Sequence, residues 1–261
     1  MKVDFNEDGH GSAVLLIHST VAGNKQWRKL IEYLSPHYQV IAPNLFGYGS
    51  SPKWSKKRDQ TLSDHVDLLK GFFERNESIS IVGHSFGGSV AMMAAKEYPE
   101  KIEKLVLIEP NPFYLLKNHS DPGSYQEVLN IRDIIKANAF KETWGQAAKQ
   151  FADYWNGSGA WTKMDEFRRE KFAEALKPNF HEFDCVINET TSLEEWRDIF
   201  PQNTHILFSE QTVNSIRKIV TIFEETMPNW IFHSYSEGTH MAPLTHPNIV
   251  NPIIHKILTE V

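Results

Sequence analysis

Six short runs rich in leucine and β-branched residues punctuate the chain: Ala13–His18, Gln39–Ala42, Ile79–Gly83, Lys104–Ile108, Thr204–Ser209 and Trp230–Ser234. Each is four to six residues long and nearly all apolar, without the in-out alternation of a strand that has one wet face. Such runs predict strands covered on both sides. Between them, Asn24–Leu34, Thr61–Asn76 and Phe86–Tyr98 carry helical periodicity. Strands alternating with helices that cover both faces give the α/β class, here a doubly wound, mostly parallel sheet.

One interval breaks the alternation. From 111 to 200 no strand-like run occurs, only helical stretches punctuated by glycine and proline, which predicts a helical insertion between two parts of one core, 1–110 and 201–261. This insertion holds 15 of the chain's aromatic side chains. At helical spacing such rings either pack the insertion itself or line an apolar pocket beneath it.

Composition narrows the function classes. With 41% hydrophobic residues, 23% charged residues and a formal charge of -6, the 261-residue chain is neither disordered nor suited to nucleic acid as its main partner. The only basic cluster is Lys53–Arg58. No apolar run approaches the ~20 residues of a membrane span. The first residues, MKVDFNEDGHG, carry acids and glycine where an export signal needs an apolar stretch, so the expected location is the cytoplasm. The single Cys185 cannot form an internal disulfide, and HEFDC at 181–185 lacks zinc spacing. Neither a metal nor an organic cofactor is expected.

The chemistry concentrates where the strand Ile79–Gly83 runs into His84-Ser85-Phe86-Gly87-Gly88 and then a helix. This is the G-x-S-x-G strand-turn-helix that presents a nucleophilic serine, here Ser85, on a tight turn. Gly83 and Gly87 are needed because neighbouring backbone approaches both positions closely.

With these residues in place, the sequence resembles the α/β-hydrolase superfamily, in its serine-nucleophile branch with a helical cap. Asn44-Leu45-Phe46-Gly47-Tyr48-Gly49-Ser50 is similar to the family's D-x-x-G-x-G-x-S loop, with Asn44 replacing the acid. Gly238-Thr239-His240-Met241 resembles the segment that presents the catalytic histidine, which makes His240 the expected general base. The resemblance also implies an oxyanion hole made by the backbone N–H groups of Phe86 and Thr20, although His18-Ser19-Thr20 replaces the usual His-Gly of that loop. The usual Asp after the strand Thr204–Ser209 is absent, because Thr212 aligns with it. The other place this fold uses for its acid, as in some haloalkane dehalogenases, is the end of the strand after the nucleophile helix, where Glu109 stands. Glu109 is the expected acid, and Glu210 is the alternative.

The activity that the resemblance implies is cleavage of an ester or thioester of a small apolar or aromatic acyl substrate through an acyl-enzyme. C–C bond hydrolysis and lactone hydrolysis use the same architecture. An inert scaffold that binds a small ligand is the alternative from another class, motivated by Thr212 and the altered His18-Ser19 loop. The expected partner is a small-molecule substrate, without nucleic acid or membrane, and the resemblance is compatible with a homodimer.

Overall fold

The computed structural model describes residues 2–118, 122–201 and 204–260. Among them, seven strands form one sheet: β1 (Phe5–Asp8), β2 (Ala13–Ile17), β3 (Gln39–Pro43), β4 (Ile79–His84), β5 (Ile102–Ile108), β6 (Thr204–Ser209) and β7 (Ile231–Tyr235). Their order is β1-β3-β2-β4-β5-β6-β7. The six apolar runs became the parallel strands, within one or two residues at their ends. The addition is β1, an antiparallel edge strand on β3. All four of its residues are exposed and three are polar, so it carries no apolar periodicity; it is held by backbone pairing with β3 and by side-chain contacts of Glu7 with Arg75 and Gln39 and of Phe5 with Phe72.

Three helices follow the first strands: α1 (Arg28–Leu34), α2 (Leu62–Arg75) and α3 (Phe86–Glu97). Thr61 starts α2 with a capping box, its hydroxyl accepting from the Asp64 N–H while its own N–H donates to the Asp64 carboxylate. The described residues between β5 and β6 contain no strand. They form α4 (Pro122–Phe140), α5 (Trp144–Asn156), α6 (Glu166–Ala175), α7 (Asn179–Ile187) and α8 (Leu193–Ile199). The chain ends with α9 (Asn214–Thr226), α10 (Ala242–Thr245) and α11 (Pro247–Thr259). Among the described residues no helix is long and apolar enough to cross a membrane.

The sheet divides the core. Leu15 and Ile17 of β2 point into one apolar cluster with α2, α3 and α9, whereas Val14 and Leu16 point into another with α1 and α11. Both sets are fully buried, which is why these strands read as continuous apolar runs. Register places the functional loops. Ile17 lies beside Gly83, and His84 lies beside Ile108, which in turn pairs with Leu207. The chain therefore leaves β2, β4, β5 and β6 at one edge, the carboxyl-end crevice where open α/β sheets bind ligands.

Three imidazoles are sealed in this core: His18, His65 and His84. His18 donates from Nδ1 to the Ser19 carbonyl at 2.8 Å and accepts the Leu45 N–H on Nε2 at 3.0 Å, so it is held neutral. Burial lowers its pKa to about 4, that of His65 to about 3, and that of His84 well below the usual imidazole range. In the unfolded chain each would titrate near ~6.5, so below that pH the unfolded state binds more protons and stability falls until the folded pKa is passed. For His18 alone the full effect is about 3 kcal/mol. The buried Glu182 carboxyl, raised to about 7 by desolvation, acts with the opposite sign and offsets part of it. The urea midpoint is therefore expected to drop between pH 7.5 and pH 5 in an equilibrium titration followed by circular dichroism. Equal midpoints would show that the buried imidazoles do not set acid stability.

Candidate active site

Ser85 sits between β4 and α3 with φ 54° and ψ -118°, left-handed backbone that a serine adopts only when its surroundings enforce it. Two glycines enforce it by proximity. A Cβ on Gly87 would lie 2.3 Å from the Ile17 carbonyl oxygen and 2.5 Å from that of His18. A Cβ on Gly83 would lie 2.4 Å from the Gly87 carbonyl. Both obstacles are backbone, so neither can step aside, and the turn stays pinned against the end of β2. The Ser85 N–H donates to the Ile108 carbonyl at 2.9 Å, which ties the turn to β5 as well.

Ser85, His240 and Glu109 are brought together in line. Ser85 Oγ lies 3.0 Å from His240 Nε2, and His240 Nδ1 lies 2.5 Å from Glu109 Oε2. All three are buried. Glu109 leaves β5 with φ 44°, and its carboxylate accepts from the Ser209 N–H at 2.7 Å and the Thr212 hydroxyl at 2.7 Å. Thr212, which replaces the usual Asp in sequence, thus donates to the acid that stands elsewhere. Glu210, the alternative acid, is exposed and takes its hydrogen bond from Ser234, so it does not reach His240.

The histidine loop is held from below. Its backbone carbonyl at His240 accepts from His84 Nε2 at 2.8 Å, and Ser209 Oγ donates to the Gly238 carbonyl at 2.6 Å. The neutral tautomer follows, with Nδ1–H on Glu109 and Nε2 free to accept from Ser85.

Phe86 opens α3, so its N–H has no acceptor within the helix, and the Thr20 N–H engages no protein acceptor either. The Ser19-Thr20 loop is braced by Gln26, whose Oε1 accepts from the Ser19 N–H at 3.1 Å and its hydroxyl at 2.7 Å. Val21 follows with φ 73°, its N–H donating to the Tyr48 hydroxyl at 3.0 Å. These bonds replace the glycine that the sequence lacks.

A cavity of about 20 Å³, room for roughly one water molecule, lies above Ser85 and His240. Phe86, Phe151, Trp155, Phe183, Val186 and Met241 form its apolar wall. Trp155 stacks on His240 with ring centroids 4.2 Å apart. Trp144 and Trp161 pack against the core and do not line the cavity, so both readings of the aromatic-rich interval apply, to different rings.

The cavity also has a polar wall of Ser19, Thr20, Asn111, Asn179 and Glu182, of which the sequence reading named only Thr20. Glu182 sits within HEFDC, whose spacing does not suit a metal. The legible signal was an acid and an amide, Glu182 and Asn179, on the same helical face as Phe183 and Val186. Asn44, in place of the usual acid, accepts the Asn24 N–H and donates to Asp4, so that a carboxylate from before β1 serves the loop. Among the described residues no group of three or more His, Cys, Asp or Glu side chains could hold a metal ion.

A family model described as alpha/beta hydrolase fold matches residues 12–158. The chain belongs to that family. It is therefore an alpha/beta hydrolase, and its relatives include enzymes of several kinds. It is 30% identical over 118 residues to a cis-3-alkyl-4-alkyloxetan-2-one decarboxylase of Shewanella oneidensis; the match spans 44% of this chain and only 37% of that protein. Over 95% of this chain and 96% of the relative it is 22% identical to a pimeloyl-[acyl-carrier protein] methyl ester esterase of Legionella pneumophila. A thermophilic esterase from Thermogutta terrifontis has the same fold, with a TM-score of 0.75 and 20% identity, covering 98% of this chain and 92% of that one.

If Glu109 orients and stabilises the imidazole, Glu109→Gln should slow Ser85 modification by a fluorophosphonate by up to about 10⁴, the loss typical of a triad acid. Thr212→Val, which removes one hydrogen bond to a charged group, should slow it by about 10- to 100-fold. Intact-mass kinetics with peptide mapping measure both. Rates within a few-fold of wild type would separate Glu109 from the reactivity of Ser85.

Proposed function

We propose that this alpha/beta hydrolase cleaves esters or thioesters of small acyl groups through an acyl-enzyme on Ser85. The observation that carries the reading is the buried line Ser85 Oγ, His240 Nε2, His240 Nδ1, Glu109 Oε2 at 3.0 and 2.5 Å beneath a narrow cavity. In this reading residues 111–200 form a cap over a core of 1–110 and 201–261, and its helices α5 and α7 limit the acyl group.

Ser85 Oγ attacks the carbonyl carbon while His240 Nε2 takes the hydroxyl proton. The resulting imidazolium keeps its Nδ1–H on Glu109, whose charge is fixed by Ser209 and Thr212 and therefore needs no reorganisation. The developing oxyanion accepts from the Phe86 and Thr20 N–H groups, each worth about 3 to 4 kcal/mol in a preorganised site. The positive end of α3 adds to this stabilisation. Collapse of the tetrahedral adduct breaks the carbonyl carbon's bond to the leaving group, which takes the proton from Nε2. Water, activated by the same imidazole, then hydrolyses the acyl-enzyme and restores Ser85.

Support comes from the relatives with esterase names and from the apolar wall. An inert scaffold would need none of the nucleophile, base, acid and free N–H groups in one place. Ser85→Ala should abolish hydrolysis of 4-nitrophenyl butyrate, by about 10⁶ in kcat, with an unchanged circular dichroism spectrum. Hydrolysis at the wild-type rate would remove Ser85 from the chemistry. Trp155→Ala should raise the octanoate-to-butyrate ratio of kcat/KM by about 10-fold or more, because it opens the cavity. Trp144→Ala and Trp161→Ala should lower Tm and leave that ratio alone.

A further inference from the structure

The polar wall of the cavity is built around a carboxyl group with unused hydrogen-bonding capacity. Glu182 is 2% exposed, and its Oε2 accepts from the Thr20 hydroxyl at 2.6 Å and from Asn179 Nδ2 at 3.2 Å. Among the described residues its Oε1 has no hydrogen-bond partner, and neither has Oδ1 of Asn179, itself 4% exposed. The Tyr48 hydroxyl also interacts with this carboxyl, and Oε1 is still left without a hydrogen bond. Two buried acceptors without donors, side by side on α7, are costly in a folded protein, at roughly 1 to 3 kcal/mol each. Side chains that only packed the helix against the core would be apolar here, as Phe183 and Val186 are. Both residues line the same cavity as Ser85 and His240. Thr20 joins the two regions, since the N–H proposed for the oxyanion and the hydroxyl bound to Glu182 belong to one residue.

We propose that Glu182 and Asn179, with Thr20, form a recognition subsite for a hydrogen-bond donor, a hydroxyl or a primary ammonium, that the substrate carries within a few bonds of its scissile carbonyl. The proposal rests on the acyl-transfer reading and sharpens it: the preferred acyl group is small and apolar along the Trp155 side, with one donor on the α7 side. A hydroxyl would satisfy one acceptor. An ammonium would satisfy both and add charge complementarity with Glu182 when that group is ionised. A site built to hold such a donor disfavours the analogue lacking it, because the buried acceptors are then left unpaired.

The test uses three matched esters, 4-nitrophenyl butyrate, 3-hydroxybutyrate and 3-aminobutyrate, with wild type, Glu182→Leu and Glu182→Gln. The wild type should prefer at least one donor-bearing ester over butyrate by 10-fold or more in kcat/KM, and which one identifies the donor. Glu182→Leu should reduce that ratio to about one; because it leaves the Thr20 hydroxyl and Asn179 Nδ2 without their acceptor, its Tm should fall, and circular dichroism checks that it stays folded at the assay temperature. Glu182→Gln keeps the shape and an acceptor oxygen, so it should retain a hydroxyl preference and weaken an ammonium preference. Turnover of all three esters at similar rates by wild type, or a Glu182→Leu effect equal on all three, would overturn the subsite while leaving ester hydrolysis intact. If none of the three is turned over, protection of Ser85 from fluorophosphonate by 3-hydroxybutyramide or 3-aminobutyramide against butyramide reads the same preference, and equal protection overturns it. Failure of Ser85 to label at all would remove the acyl-transfer reading and the subsite together.

Discussion

A carboxylate at zero exposure sets the terms for the rest of this molecule. Glu109 would cost several kcal/mol to bury alone. Its oxygens are met by the Ser209 N–H at the end of β6, the Thr212 hydroxyl in the loop beyond, and the His240 imidazole. These donors come from separate parts of the chain, so the acid can be accommodated only if β6 pairs with β5 and the loop after β7 folds back over both. Ser209 serves the acid through its N–H and the histidine loop through its hydroxyl, which couples the position of one to that of the other.

The nucleophile is held by a different force, the absence of space. Gly83 and Gly87 let β2, β4 and the start of α3 approach to distances that no Cβ could share, and this close packing imposes left-handed backbone on Ser85. Neutral imidazoles fill the region beneath. His18 ties the β2 end to Leu45, and His84 supports the backbone of His240. His18 donates and accepts at once, which a histidine does only when uncharged, so the tie between the β2 end and Leu45 depends on that ring staying unprotonated.

Above the site the two walls differ in kind. Trp155 covers the imidazole with an aromatic face, whereas α7 presents Glu182 and Asn179 on the same helical side as Phe183 and Val186. The helices between β5 and β6 thus shape much of the cavity's wall, while Ser85, Glu109 and His240 stand in the turns and loops that follow β4, β5 and β7.

The parallel strands were legible because both faces of the sheet are buried, which leaves unbroken apolar runs with little alternative. The elbow was legible because steric demand on Gly83 and Gly87 is local. Glu109 was legible as the expected acid from the gap at Thr212 and its place at a strand end, and strand pairing decides that it, and not Glu210, reaches His240. The edge strand β1 left no trace, since backbone pairing with β3 needs no particular side chains. Pairing also decided which way the rings of the aromatic-rich interval face: periodicity places Trp144, Trp155 and Trp161 on helices but says nothing about what lies opposite. The amino-acid sequence by itself therefore determined the α/β class, the nucleophile turn and the type of chemistry, all of which rest on short-range sterics and burial patterns. Only the tertiary structure placed the Glu109 carboxylate on His240, the Thr212 hydroxyl on that carboxylate and Glu182 in a polar wall, because a hydrogen bond between residues a hundred positions apart depends on how the strands and helices pack.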